Sequence, residues 1–473
     1  GPILMVQLEN EYGFFRRKDT EYLSALATLL RDNFDLFLYT NDGGYVDALA
    51  TGQLHGVLSE SDGGDPKIGF AARDDAVTDP TSLGPQLDGE YYITTASRWG
   101  SNSTYTTASE NPSVMSKILS DLDWVLSGNN SFSIYMFHGG TNWGLENGAI
   151  EGNYFNTNPF TTSYDFGASL DESGRPTKIY YQIRQLISKY VPAGSIPDVP
   201  SVPSLAEVPQ FALRPVLGLF NPQDERKTTT SYPLSMEALN QNYGFVLYEH
   251  TVTTKVKGTI SPGDLPRDRV IVFVNGARVG VIDALYNPPA SVQVSLQNGD
   301  LLQLLVEDLG RQDIGTDAGK ELYDQIKGIV GNVTVGINTA LEGWSIHSIP
   351  LDTIPSAVNA AKDTYAVQAD GSPVFYKGSF QISQPTKIGL SSDTFLTLPH
   401  GTKGVVWVNG HILGRYWAIG PQQSLYVPGC YLKGGYAQNE VVVLELEPQP
   451  DTPFAAQGIS VRKWFNNPDP DAP

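Results

Sequence analysis

At 473 residues, with 40% hydrophobic and 11% aromatic residues, the chain is too long for one compact core and apolar enough to build several. Its formal net charge of −20 repels phosphate backbones and anionic lipid, which argues against nucleic acid and membrane surfaces as partners, and no run of about eighteen apolar residues reads as a bilayer span. The single cysteine, Cys430, excludes an internal disulfide and a cysteine-based zinc site, and six histidines fall at no metal-ligand spacing, so neither metal nor cofactor is expected.

The chain opens on Gly1-Pro-Ile-Leu-Met-Val without an initiator Met, inside a strand-like apolar run over residues 3–8, and so reads as lacking its true beginning. Residues 20–33 carry Tyr22, Leu23, Leu26, Leu29 and Leu30 at helical spacing. Residues 37–40, 57–59 and 91–93 read as strands. Residues 112–126 place Val114, Ile118, Leu119, Leu122 and Val125 on one helical face and feed a strand over 132–137. A helix over 180–191 closes the region. This alternation over residues 1–193 predicts βαβ units and a parallel sheet of about five strands, too few for a closed eight-stranded barrel.

Residues 194–210 are rich in proline and small residues, as in a semi-rigid linker. Beyond them come short alternating strands, and two passages resemble each other. Residues 272–280 and 406–414 each form an alternating strand, an Asn-Gly turn (Asn275-Gly276, Asn409-Gly410) and a return strand, a hairpin signal. Their surroundings repeat too, which predicts two copies of one all-β sandwich or jelly-roll module, over 211–345 and 346–473. Asn-x-Ser/Thr triplets at Asn102, Asn129 and Asn332 are candidate N-glycosylation sites and suit a secretory-route protein.

Two carboxyl groups flanking one bond are what glycoside hydrolysis requires. Glu11 lies just past the first strand, and Glu90 just past residues 83–87 and before Tyr91-Tyr92. A glutamate after a strand is also a common helix N-terminal charge or loop residue, so spacing alone does not single them out.

Ordered sequence blocks do. Residues 1–13, ending Glu9-Asn10-Glu11-Tyr12-Gly13, resemble the acid/base signature of the family 35 glycoside hydrolases, the β-galactosidases. Glu90-Tyr-Tyr with Trp99-Gly100, Tyr135-Met-Phe-His-Gly-Gly-Thr-Asn-Trp-Gly144, Thr162-Ser-Tyr-Asp-Phe-Gly-Ala168 and residues 406–417 resemble further blocks of that family in the same order. The tail, with Gly343-Trp-Ser-Ile between its modules, is most similar to the lysosomal-type animal members.

The resemblance covers essentially the whole chain and implies a retaining exo-β-galactosidase. Residues 1–193 would be strands 4–8 of a (β/α)8 TIM barrel, followed by two galactose-binding-like β-sandwich domains. Glu11 would be the acid/base, carrying a proton while Glu90, the nucleophile, stays ionised. Asn10 would hydrogen-bond the sugar 2-hydroxyl, Tyr92 support the nucleophile, Tyr135 line the subsite and Tyr164 contact galactose. Glu9, alternating with Glu11 along a strand, is expected to be structural and hydrogen-bonded. Trp99 and Trp143 suit stacking platforms and core packing equally. Thr94-Thr95 stands where the lysosomal-type members carry Gly-Trp, and residues 310–314 diverge, which puts aglycone preference in doubt.

Strands one to three would be missing, so residues 1–193 alone could not close a barrel, and residues 1–473 expressed alone are expected to aggregate or lack activity. The expected partner is a β-galactoside, and the expected location lysosomal or extracellular. A non-catalytic glycan-binding protein and an exo-β-glucosaminidase on the same fold are the alternative readings.

Overall fold

The computed structural model describes residues 2–15, 18–151, 157–202, 204–220, 226–314, 325–337, 339–362, 365–368, 370–382 and 393–473. In its N-terminal part five strands form one parallel sheet in chain order: β1 (Met5–Gln7), β2 (Phe37–Gly43), β3 (Leu58–Asp62), β4 (Leu87–Tyr92) and β5 (Ser131–Tyr135). Between them run α1 (Thr20–Asn33), α2 (Val46–Gly52), α3 (Pro66–Ala76) and α4 (Pro112–Ser127). Side-chain caps start the longer helices: Asp19 accepts from the Tyr22 amide, Asp65 from Lys67, and Asn111 from Ser113 and Val114. Pro66 and Pro112 open α3 and α4, where a missing N–H costs nothing.

Helix α4 buries Ile118 and Leu122 against Ile179, Ile183 and Leu186 of α5 (Lys178–Ile187), with Tyr91 and Ile93 in the same cluster. Among the described residues β1 is an edge strand, pairing with β2 alone, and Ile3, Leu4 and Phe37 beside it are exposed.

The strands run further than expected at their C-terminal ends, because the extra residues are polar yet buried: Asn41 and Asp42 on β2, Glu60 and Asp62 on β3. Strand β1 is shorter. It stops at Gln7, and Glu9 and Glu11 take left-handed φ of 62° and 50°, so they do not alternate along one face of a strand as expected. Glu90 sits within β4 rather than past it, at an irregularity in the pairing with β5 between Asp88 and Tyr91.

Two β-sandwiches follow. The first sets a six-stranded sheet, including Phe245–Thr251, Leu301–Glu307 and Arg269–Val274, against a four-stranded one around Val246, Tyr248, Leu304 and Trp344. The second sets a five-stranded sheet against a four-stranded one around Val406, Val443 and Leu396. Both expected hairpins form, with left-handed Asn275-Gly276 and Asn409-Gly410 turns and an irregular register at the same place in each, between Val272 and Phe273 and between Val406 and Trp407.

The boundary expected at 211 falls inside a strand. Val208–Ala212 pairs with Ala455–Ile459 and Arg214–Gly218 with Val374–Gln381, so both belong to the second sandwich, and the linker expected to reach 210 ends short of Val208. Local alternation marks a strand but not its partner, and these partners lie far away in sequence.

The three parts are joined by buried ion pairs and hydrogen bonds. Glu307 of the first sandwich accepts from Lys403 Nζ at 2.5 Å and Arg415 Nε at 2.7 Å of the second, and Arg415 Nη1 donates to Asn147 Oδ1 of the N-terminal part at 2.6 Å. Arg311–Ile314 also pairs in parallel with β6 (Gly148–Glu151), which pairs with β7 (Thr157–Pro159). The divergent segment of the first sandwich thus extends a small sheet of the N-terminal part.

Candidate active site

The C-terminal ends of β2, β3 and β4 and the loop after β1 converge on one group of side chains. The Glu11 amide donates to the Asn41 carbonyl at 2.9 Å, and the Gly63 amide to the Glu90 carbonyl at 3.2 Å, fixing the neighbouring strand ends against each other. Carboxylate oxygens of Glu11, Glu90 and Asp62 lie within 4.8 Å of one another. Tyr92 donates its hydroxyl to Glu90 Oε2 at 2.8 Å. Asn41 Nδ2 reaches Glu90 Oε1 at 3.4 Å and Asp62 Oδ2 at 3.2 Å. Glu11 and Asp62 share a side-chain hydrogen bond.

Burial raises the pKa of Glu11, the negative Glu90 raises it further, and the hydrogen bond from Asp62 opposes both. Asp62 is lifted well above the usual carboxylate range by burial, then by Glu11, Glu90 and Asp42. The same cause acts below the site: burial pushes Asp42 up to about 6, Glu60 to about 8 and Asp88 to about 7. This floor is a layer of acids that burial favours in their protonated form.

The aromatic residues form one wall. Tyr92 and Tyr135 lie 4.9 Å apart between ring centres, and Tyr135 OH and Tyr164 OH are 3.4 Å apart. Phe166 packs edge-on against Tyr135 and beside Tyr92 and Tyr164. Sequence reasoning therefore placed Glu11, Glu90, Tyr92, Tyr135 and Tyr164 in one region, and the structure brings them together. Asn10 is exposed beside Glu11, its Oδ1 accepting from Gln7 Nε2 at 2.8 Å. Glu9 points elsewhere, accepting from the Tyr22 hydroxyl.

Trp99 is 1% exposed and packs against Trp417, so it is core rather than a sugar platform; Trp143 packs against Tyr426 and Tyr431. The residues sequence reasoning missed are Asn41, Asp62 and Phe166. Phe166 lay within a recognised block. Asn41 and Asp62 gave no signal, because polar residues after short apolar runs read as loop.

The converging carboxylates are close enough to share a proton or a cation. The hydrogen bond between Glu11 and Asp62 is the proton-sharing form. Chemically, the group pairs a carboxyl whose protonation is favoured by burial with a second carboxylate held by two donors, beside a wall of phenols.

Residues 1–190 match the model of glycosyl hydrolases family 35, residues 233–351 that of the beta-galactosidase first all-beta domain, and residues 373–437 that of the beta-galactosidase galactose-binding domain. The chain is 35% identical to the beta-galactosidase of Felis catus, over 95% of this chain and 67% of that protein. It is 33% identical to the beta-galactosidase-1-like protein of Mus musculus over 96% and 68%. To the beta-galactosidase of Homo sapiens it is 35% identical over 94% and 66%. The chain thus spans about two thirds of the length of these relatives, and it belongs to glycosyl hydrolase family 35.

Proposed function

We propose that the protein is a retaining exo-β-galactosidase, with Glu11 as acid/base and Glu90 as nucleophile. It is a glycoside hydrolase acting on β-galactosides. The observation that carries the finer reading is the convergence of two strand-end carboxylates to within 4.8 Å. That suits the separation of about 5 Å used for direct attack on the anomeric carbon, and falls short of the 6.5 Å or so needed to fit a water between.

In this reading the five parallel strands are the fourth to eighth of a (β/α)8 barrel, and the chemistry sits at their C-terminal ends. The Glu11 proton passes to the glycosidic oxygen as Glu90 attacks, and the bond to the aglycone breaks. Glu11, now a base, then takes a proton from the water that releases galactose from Glu90. Tyr92 orients the nucleophile, Tyr135 and Tyr164 line the sugar, and Asn10, exposed beside Glu11, exchanges Gln7 for the 2-hydroxyl.

We place the protein in the lysosome or outside the cell. Asn102, Asn129 and Asn332 are all exposed, which supports glycosylation there. Among the described residues no helix is long and apolar enough to cross a membrane.

The test is Glu11→Gln in the full-length protein. Cleavage of a β-galactosyl disaccharide should fall by about 10²–10⁴-fold, while release of nitrophenol from its β-galactoside, which needs little protonation, should keep a near-normal first step. Equal losses on both substrates would remove Glu11 as the acid. A preference for the nitrophenyl β-glucosaminide would favour a glucosaminidase instead.

A further inference from the structure

We propose that Asp62 is a positioning residue for Glu11: a buried carboxylic acid that donates its own proton in a hydrogen bond to the Glu11 carboxylate. The inference rests on Glu11 being the acid/base.

Asp62 ends β3, is 4% exposed and faces acids from both neighbouring strands and from the loop after β1. These are Glu11 from the loop after β1, Asp42 from β2, and Glu90 from β4. Among the described residues no lysine or arginine makes an ion pair with Asp62, Glu11 or Glu90. The donor found for Asp62 is Asn41 Nδ2 at 3.2 Å, which is shared with Glu90. Three carboxylates within 4.8 Å cannot all be charged away from water, so the most buried of them keeps a proton. Asp62 is buried where Glu11 is half-exposed, and burial and its acidic neighbours raise its pKa, which makes Asp62 the donor of their hydrogen bond.

The consequence for catalysis follows from the two roles of Glu11. As a proton donor it must not be too acidic, and burial beside Glu90 raises its pKa. As a base in the second half-reaction it must return to the anion, and the Asp62 donor stabilises that anion and holds its orientation. Asp62 thus limits how far burial lifts the acid/base, without itself exchanging a proton with the sugar.

The experiment compares kcat/KM against pH on a β-galactosyl disaccharide for the full-length protein and its Asp62→Asn and Asp62→Ala variants. An asparagine keeps a neutral donor, so Asp62→Asn should stay within about threefold of wild type, with its basic limb unmoved. Asp62→Ala removes the donor, so kcat should fall by about tenfold or more and the basic limb should move up by about one pH unit. A basic limb shifted down to lower pH by a similar amount in Asp62→Asn would mean that Asp62 works as an anion, and would overturn the proposal. So would an unchanged profile in Asp62→Ala.

Infrared difference spectra between wild type and Asp62→Asn give a second readout that needs no turnover: beyond the bands of other buried protonated acids such as Glu60, one carbonyl stretch should be present in wild type at neutral pH and lost in Asp62→Asn. Its presence in both would sink the idea. Activity lost to a chelator and restored by Mg²⁺ would show a cation in place of the shared proton. If Glu11→Gln fails its own test the acid/base reading falls; if it passes and the Asp62 variants are silent, only this inference falls.

Discussion

Replacing Glu90 by glutamine is expected to abolish turnover of both natural and nitrophenyl β-galactosides, by about 10⁴-fold or more. An amide oxygen is too weak a nucleophile to form the sugar ester, and a good leaving group cannot compensate for the lost attack. The contrast with Glu11→Gln, which spares the first step on activated substrates, separates the two glutamates by role. The loss should be chemical rather than structural. Tyr92 OH can still donate to the glutamine carbonyl, and one negative charge leaves a site where Glu11 and Asp62 already crowd it. Thermal stability of the variant should therefore equal or exceed wild type, measured by calorimetry beside the assay. Substantial residual turnover in a folded Glu90→Gln protein would remove Glu90 from the mechanism.

The second large effect is on stability. Burial lifts Asp42 to about 6, Glu60 to about 8 and Asp88 to about 7 in the floor of the site, and Glu172 and Glu445 to about 7 elsewhere. Each binds its proton more tightly folded than unfolded. Its contribution to stability is complete below the unfolded value, near pH 4, and is lost as pH rises through the folded value. A tenfold tighter hold on the proton corresponds to about 1.4 kcal/mol. Glu307 opposes them at lower pH: held to about 2 by Lys403 and Arg415 despite its burial, it loses its contribution only in stronger acid.

The protein should therefore be most stable between about pH 4 and 5, and its first thermal transition should fall by about 10 °C or more by pH 7.5. Glu60→Gln should flatten the decline, since an amide in place of a buried acid has no proton to lose. A transition temperature that rises from pH 5 to 7.5 would contradict this reading.

How legible this was in the sequence depends on where each residue's partners lie. Helix α1 was legible to the residue, because Tyr22, Leu23, Leu26, Leu29 and Leu30 recur at helical spacing; the structure adds the Asp19 cap on its first turn. Both Asn-Gly hairpins were equally plain, since an Asn-Gly turn selects its backbone locally. Glu11, Glu90 and the three tyrosines were found through ordered blocks, not through their chemistry, which is ordinary taken singly.

What stayed hidden was long-range or electrostatic. The segment Glu60-Ser61-Asp62 looks like a polar loop, yet it is buried strand. Glu60 there finds the Leu87 amide at 2.7 Å, a partner no local pattern announces. The strands Val208–Ala212 and Arg214–Gly218 fall across the expected end of the linker and the start of the first sandwich, but their place in the second sandwich is set by partners more than 150 positions away, as in Val374↔Gly218 and Ala455↔Ala212. Left-handed φ at Glu9 and Glu11 broke the strand that alternation extended, and it turned Glu11 toward Asp62 and Glu90 while Glu9 went to Tyr22.

The two-glutamate mechanism is tested most sharply by trapping the sugar on the enzyme. A 2-deoxy-2-fluoro-β-galactoside with an activated leaving group slows release more than attachment, because the fluorine destabilises the oxocarbenium-like transition state and the good leaving group restores the first step. Peptide mass mapping of the full-length protein after this treatment should find one fluorogalactosyl group, on the carboxylate of Glu90. A label on Glu11 or Asp62, or inactivation with no covalent sugar at all, would contradict the mechanism.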